Sequence, residues 1–162
     1  MKNIYILRHA KSDWSDDNAD DKDRILTDRG VDEAKTVAKA FINNKLQFDT
    51  IISSPAKRAL QTATIVKKNT GFIKEIQVED CFYFSDLRRI LSVIRRQNDE
   101  NNTILIVGHN PLWSNLVLYL TGNRMTMDTG CAAILTSNID KWDNFDNNAF
   151  KLELYINPKK IK

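Results

Sequence analysis

The chain has 162 residues, 42% hydrophobic and 28% charged, with a net charge of +3. That length suits one domain that buries its own core without a disulfide or metal staple. The charge is small and its lysines and arginines are dispersed, so no nucleic-acid partner is expected.

Asn3 to Leu7 is short and almost wholly apolar, as a strand covered on both faces would be. A polar stretch follows to about Thr27. From Asp28 to Asn44 the spacing of Val31, Ala34, Val37, Ala38, Phe41 and Ile42 predicts a helix. Thr50–Ser53 reads as a second buried strand. Ser54-Pro55 then opens a helix, with the serine as N-cap and the proline at the first helical position. Gly71 ends it. Glu75 to Val78 is a weak strand, and Asp86 to Arg96 a helix built on Leu87, Ile90, Leu91 and Ile94. Thr103–Val107 is the clearest strand. Asn110-Pro111 repeats the cap-and-proline signal for a helix that stops at Gly122. Cys131 to Thr136 and Phe150 to Ile156 read as closing strands, the last at an edge. Strands alternating with helices imply an α/β fold with a mostly parallel sheet. No repeat or linker divides residues 1–162, so a single domain is expected.

No segment approaches the roughly 20 apolar residues of a membrane span. The apolar run Ile4-Tyr5-Ile6-Leu7 is too short for a secretory signal. A cytoplasmic protein with no membrane partner is the expectation, and Cys81 and Cys131 read as reduced thiols. The basic tail Pro158 to Lys162 reads as a solvated end.

Both histidines of the chain follow strands, His9 after the first and His109 after Thr103–Val107. Open α/β sheets bind ligands outside the carboxyl ends of their strands. Each histidine taken alone reads as well as a structural residue; their joint placement beside further polar groups favours a site. In Leu7-Arg8-His9-Ala10 an arginine stands beside a possible nucleophile. A neutral imidazole attacks phosphorus through one nitrogen when the other donates to a fixed acceptor. A guanidinium binds phosphate oxygens with a fork that lysine lacks. Ser53-Ser54-Pro55 to Arg58 opens a helix whose free N–H groups favour an anion. In Val107-Gly108-His109-Asn110-Pro111, Gly108 allows close backbone approach. His109, when protonated, donates to a phosphoryl oxygen, and its protonation is expected to couple to ligand binding.

These segments resemble the histidine phosphatase superfamily. Leu7-Arg8-His9-Ala10-Lys11-Ser12 with Trp14 is similar to the opening of its short SixA-like phosphohistidine phosphatase group. Leu26-Thr27-Asp28-Arg29-Gly30 with Glu33-Ala34 resembles the L-T-x-x-G segment. Ser53-Ser54-Pro55 with Arg58-Ala59 and Gln61-Thr62-Ala63 resembles the second arginine motif, and Val107 to Pro111 the second histidine motif. The resemblance implies a three-layer α/β/α domain of the phosphoglycerate mutase-like kind. It implies a nucleophile at His9, phosphate ligands at Arg8 and Arg58, and His109 completing the pocket. Ser54 and Asn110 are expected to bind substrate. Arg24 is open to two readings, a phosphate ligand by resemblance or a salt-bridged residue after an acidic loop. No cofactor or metal is expected, since cationic side chains would neutralise the phosphoryl charge.

Many members of that superfamily carry a glutamate acid after the third strand, where Phe84 stands in Phe82-Tyr83-Phe84-Ser85. Glu79, Asp80 or Asp86 could substitute. A missing acid favours a phosphohistidine substrate, whose imidazole leaves more easily than an alkoxide. The leading expectation is therefore a monomeric phosphatase of a phosphorylated protein, with a shallow, open pocket. The alternatives are a phosphatase of small phosphorylated molecules and a phosphate- or protein-binding module with little turnover. The aspartate-rich loop from Asp13 to Asp23 lacks the glycine and terminal glutamate of an EF-hand and reads as an acidic rim. Trp14 reads as the residue that pins it.

Overall fold

A computed structural model describes residues 1–15 and 18–161. Asp16 and Asp17 of the acidic rim, and Lys162 of the basic tail, lie outside the described residues. The elements in chain order are β1 (Asn3–Arg8), α1 (Asp28–Asn43), β2 (Thr50–Ser53), α2 (Lys57–Thr70) and β3 (Gln77–Val78). Then come α3 (Leu87–Arg95), β4 (Thr103–Gly108), α4 (Leu112–Thr121), β5 (Ala132–Thr136) and β6 (Lys151–Ile156). Short 3-10 turns cover Asp21–Asp23, Asp80–Phe82 and Pro158–Lys160.

The sheet order is β3-β2-β4-β1-β5-β6, with β6 at an edge. β1, β2, β3 and β4 pair in parallel, and β5 runs antiparallel to both β1 and β6. The period of two along β4 divides the core. Ile104 and Ile106 pack with Ile90 and Ile94 of α3 and with Trp113, Leu116 and Val117 of α4. Leu105 and Val107 pack with Val37 and Phe41 of α1 and with Ala59, Ala63 and Val66 of α2. Helices cover both faces, which is the expected three-layer α/β/α arrangement. On α1 the buried face takes Ala40 in place of Ile42, which is exposed.

Two helix starts differ from the sequence reading. α2 begins at Lys57 with Ala56 as its N-cap, and Ser54 lies before the helix. The Ser54 hydroxyl accepts from the Ala56 N–H at 3.2 Å, so it organises the turn that precedes the helix. α4 begins at Leu112 with Pro111 as its N-cap, so Asn110 precedes the cap; its Oδ1 accepts from the Ser114 N–H at 3.1 Å.

Two glycines mark close approaches that fix the site. A Cβ on Gly108 would stand 2.6 Å from the Trp113 ring, whose Nε1 donates to the Leu7 carbonyl at 3.0 Å. A Cβ on Gly30 would stand 2.0 Å from the Lys11 carbonyl oxygen. That carbonyl accepts from the Thr27 N–H at 3.0 Å, and the Lys11 N–H donates to the buried Glu33 carboxylate at 2.9 Å. The L-T-x-x-G segment thus holds the chain leaving β1. Gly30→Ala is expected to cost about 2–3 kcal/mol, because backbone must move to relieve the clash. The urea midpoint at unchanged m-value measures it.

Candidate active site

The parallel strands β1 and β4 deliver their last residues side by side, with Arg8 opposite Gly108. The His9 N–H continues the ladder to the Gly108 carbonyl at 3.0 Å. The two imidazoles therefore face each other with ring centroids 5.1 Å apart. Arg8, His9, Arg24, Arg58, His109 and Asn110 all line one cavity of about 350 Å³, together with Lys11, Ser12, Trp14, Asp21 and Thr129. His9 and His109 are 7% and 8% exposed, so the site is recessed, not shallow as the short chain suggested.

Of the seven residues singled out from sequence, only Ser54 does not line the cavity. It is fully buried behind His109, with its Oγ 2.7 Å from His109 Nε2. Read as a substrate-binding residue, Ser54 instead stands outside the cavity lining and touches His109. Asn110 is held by both ends of its amide. Its Nδ2 donates to the Met127 carbonyl at 2.8 Å, which also accepts from Arg8 Nη1 at 2.8 Å. Arg24 is salt-bridged as one of its two readings had it, and it stands at the cavity. It pairs with Asp21 at 3.0 Å while donating to the Ser12 hydroxyl at 2.7 Å. Trp14 stacks on the Arg24 guanidinium at 3.3 Å yet stays 68% exposed, so it both fixes the rim and forms part of the mouth.

The ring of His9 is oriented by the Ala10 carbonyl, 2.7 Å from its Nδ1. A carbonyl only accepts, so Nδ1 carries the proton and Nε2 presents its lone pair. Burial, then the neighbouring His109, Arg58 and Arg8, hold the His9 pKa down at about 3 against the Ala10 hydrogen bond. Burial and Arg58 bring His109 to about 3 as well. Both imidazoles are neutral near pH 7. Three guanidinium groups line the cavity against one carboxylate, that of Asp21. Among the described residues, buried Arg8 Nε, Arg58 Nε and His109 Nδ1 have no hydrogen-bond partner in the protein. Buried polar groups are normally paired, and an anion fits this set.

Asp21 and Tyr83 were not singled out from sequence. Asp21 accepts from Arg24, from Arg58 Nη2 at 3.0 Å and from the Tyr83 hydroxyl at 2.7 Å. Its carbonyl also accepts from Arg58 Nη1 at 2.7 Å. Partial burial pushes its carboxyl up, but the bonds from Tyr83, Arg58 and Arg24 outweigh that and hold it at about 2. Tyr83 also packs its ring against His109 at 5.6 Å. Phe84 is 87% exposed, and neither Glu79, Asp80 nor Asp86 lines the cavity. Asp86 instead caps α3 through the Arg89 N–H at 3.0 Å.

The depressed pKa values predict an acid-labile site. The unfolded chain binds protons at the ordinary histidine value of 6.5, while the folded chain binds them only near 3. The contribution of these histidines to stability is complete above 6.5 and is lost as pH falls toward 3; Asp21 adds a loss from 3.8 toward about 2. The urea midpoint is expected to fall between pH 6.5 and 4.5, and to fall much less in His9→Asn/His109→Asn. Equal slopes in the two proteins would contradict the assignment.

Comparison with known proteins agrees with this geometry. The model of the histidine phosphatase superfamily (branch 1) matches residues 4–83. An uncharacterized protein of Mycobacterium leprae is 32% identical over 125 residues, which cover 75% of each chain. The crystal structure of a protein from Agrobacterium tumefaciens assigned as phosphohistidine phosphatase SixA is 26% identical. It aligns over 97% of this chain and 98% of its own, with a TM-score of 0.83. The protein histidine phosphatase SixA complexed with tungstate shares the fold at a TM-score of 0.86, with 23% identity and 99% of both chains covered. Fold, site and likeness together define a phosphatase. The chain belongs to the histidine phosphatase superfamily, and within it is SixA-like.

Proposed function

We propose that the chain dephosphorylates phosphohistidine on a protein through a phosphohistidine intermediate on its own His9. The observation that carries the first half is the 2.7 Å bond between His9 Nδ1 and the Ala10 carbonyl, which leaves Nε2 free and neutral. The Nε2 lone pair attacks phosphorus, and the bond from phosphorus to the substrate nitrogen breaks. Its electron pair stays with the departing imidazole, which leaves neutral when its other nitrogen already carries a proton. Water then attacks the phosphoryl group on His9. The bond to Nε2 breaks, and the proton released by water passes to solvent or phosphate.

Arg8 and Arg58 hold the phosphoryl oxygens, and Arg24 and Asn110 extend that grip. The three guanidinium groups and the proton on His109, in place before the reaction, stabilise the charge of the transition state, which carries most of the catalysis in such transfers. As phosphate enters, its negative charge raises the affinity of His109 for a second proton.

The choice of substrate rests on the missing acid. Among the described residues lining the cavity, Asp21 is the only carboxyl group, and at about 2 it is ionised and bound to two arginines. A proton donor is worth about two to four orders of magnitude to an alkoxide leaving group. A protonated imidazole does without it. Phosphate release from a phosphohistidine protein and from para-nitrophenyl phosphate, measured side by side, tests this. Faster turnover of the phosphohistidine protein is expected. Equal or faster turnover of the ester would point to a small-molecule phosphatase instead.

A further inference from the structure

The cavity accounts for a phosphoryl group, but its mouth carries apolar surface that such a group does not need. Three of the large apolar side chains exposed on the described residues belong to segments that reach the site: Trp14 at 68%, which lines the cavity, Ile25 at 48%, next to Arg24, and Phe84 at 87%, next to Tyr83. Single exposed apolar residues are ordinary on a protein surface, and three beside one site are not. Trp14 lines the cavity. Ile25 follows Arg24, and its carbonyl accepts from the Asp13 N–H at 2.8 Å, which sets it next to the Trp14 segment. Phe84 follows Tyr83, whose hydroxyl bonds Asp21 and whose ring packs on His109. Lysines stand among them. Lys11 lines the cavity, and Lys22 lies 5.8 Å from the Tyr83 ring.

We propose that Phe84 and Ile25, with Trp14, form a docking rim for a folded protein that presents its phosphorylated histidine to the cavity. This rests on the function proposed above. A small phosphate ester is held by the arginines and reaches no further than the cavity, so it has no surface with which to cover Phe84. A protein substrate does. Its phosphoryl group meets the arginines, and its apolar surface meets the rim. Aromatic side chains at the centre of a contact surface carry much of its binding energy.

The test uses Phe84→Ser/Ile25→Ser, which changes two exposed side chains outside the cavity. Both proteins are assayed on a phosphohistidine-bearing protein and on free phosphohistidine. The rim predicts that kcat/KM for the protein substrate falls about tenfold or more, mainly through KM, while free phosphohistidine changes less than about twofold. An equal fall for both substrates would make the rim part of the cavity and overturn the proposal. No change for either would overturn it too. If the wild type is a dimer that the variant dissolves, the rim is an interface between copies of this chain, and the proposal fails. Wild type that leaves the phosphohistidine protein untouched would defeat the proposed function itself, and the docking rim with it; a failure of the rim alone leaves that wild-type activity intact.

Discussion

His9→Ala is expected to abolish phosphate release, with kcat reduced by at least about 10⁴-fold. The reason is local. The Ala10 carbonyl fixes the proton of His9 on Nδ1 and so leaves the Nε2 lone pair for phosphorus, whereas the ring of His109 is held through Nε2 by Ser54 at 2.7 Å. Asp21 is bound to two arginines and a tyrosine, which hold its carboxylate in place and draw on its negative charge. The variant should still fold and still bind inorganic phosphate, since Arg8, Arg58 and His109 are untouched. Loss of activity with retained phosphate binding, followed by calorimetry, separates a lost nucleophile from a lost fold.

Arg58→Ala is expected to reduce kcat/KM by about 10²- to 10³-fold, the usual cost of removing one preorganised charge from a transition state. Arg58→Lys should recover little of it. Nη1 and Nη2 of Arg58 are committed to the Asp21 carbonyl and carboxylate, which leaves the buried Nε without a protein partner. A lysine ammonium has no such division of labour, because its donors sit on one atom at the end of a flexible stem. The variants compared on the same phosphohistidine substrate measure this. A lysine variant at near wild-type rate would mean that Arg58 supplies charge alone.

Much of this arrangement was legible in the sequence because it repeats short-range physics. β1, β2 and β4 are unbroken apolar runs, and their ends carry the Arg-His, Ser-Ser-Pro and Gly-His segments that the sheet then brings together. The resemblance assigned Arg8, His9, Arg58 and His109, and all four line one cavity. Ser54 was misread because Ser-Pro is a good helix-opening signal by itself; the same hydroxyl is needed by Ala56 and His109 in a turn that precedes the helix. Asp21 was invisible because six aspartates stand between Asp13 and Asp23. Nothing in their spacing marks the one that reaches Arg58, 37 residues away in the chain. Tyr83 was passed over for the same reason, since its partner Asp21 is 62 residues distant. Gly108 was read as allowing a close approach of the backbone, and the Trp113 ring is what occupies the space a Cβ would take.

The most direct test of the central claim is to quench the reaction during turnover of a phosphohistidine protein and look for phosphate carried by the chain itself. Base-quenched protein should hold a phosphoryl group that survives alkali and is lost in acid, as a phosphorus–nitrogen bond is, and peptide mass spectrometry should place it on His9. His9→Ala should hold none. Turnover at the full rate with no such adduct, or an adduct on any other residue, would contradict the account.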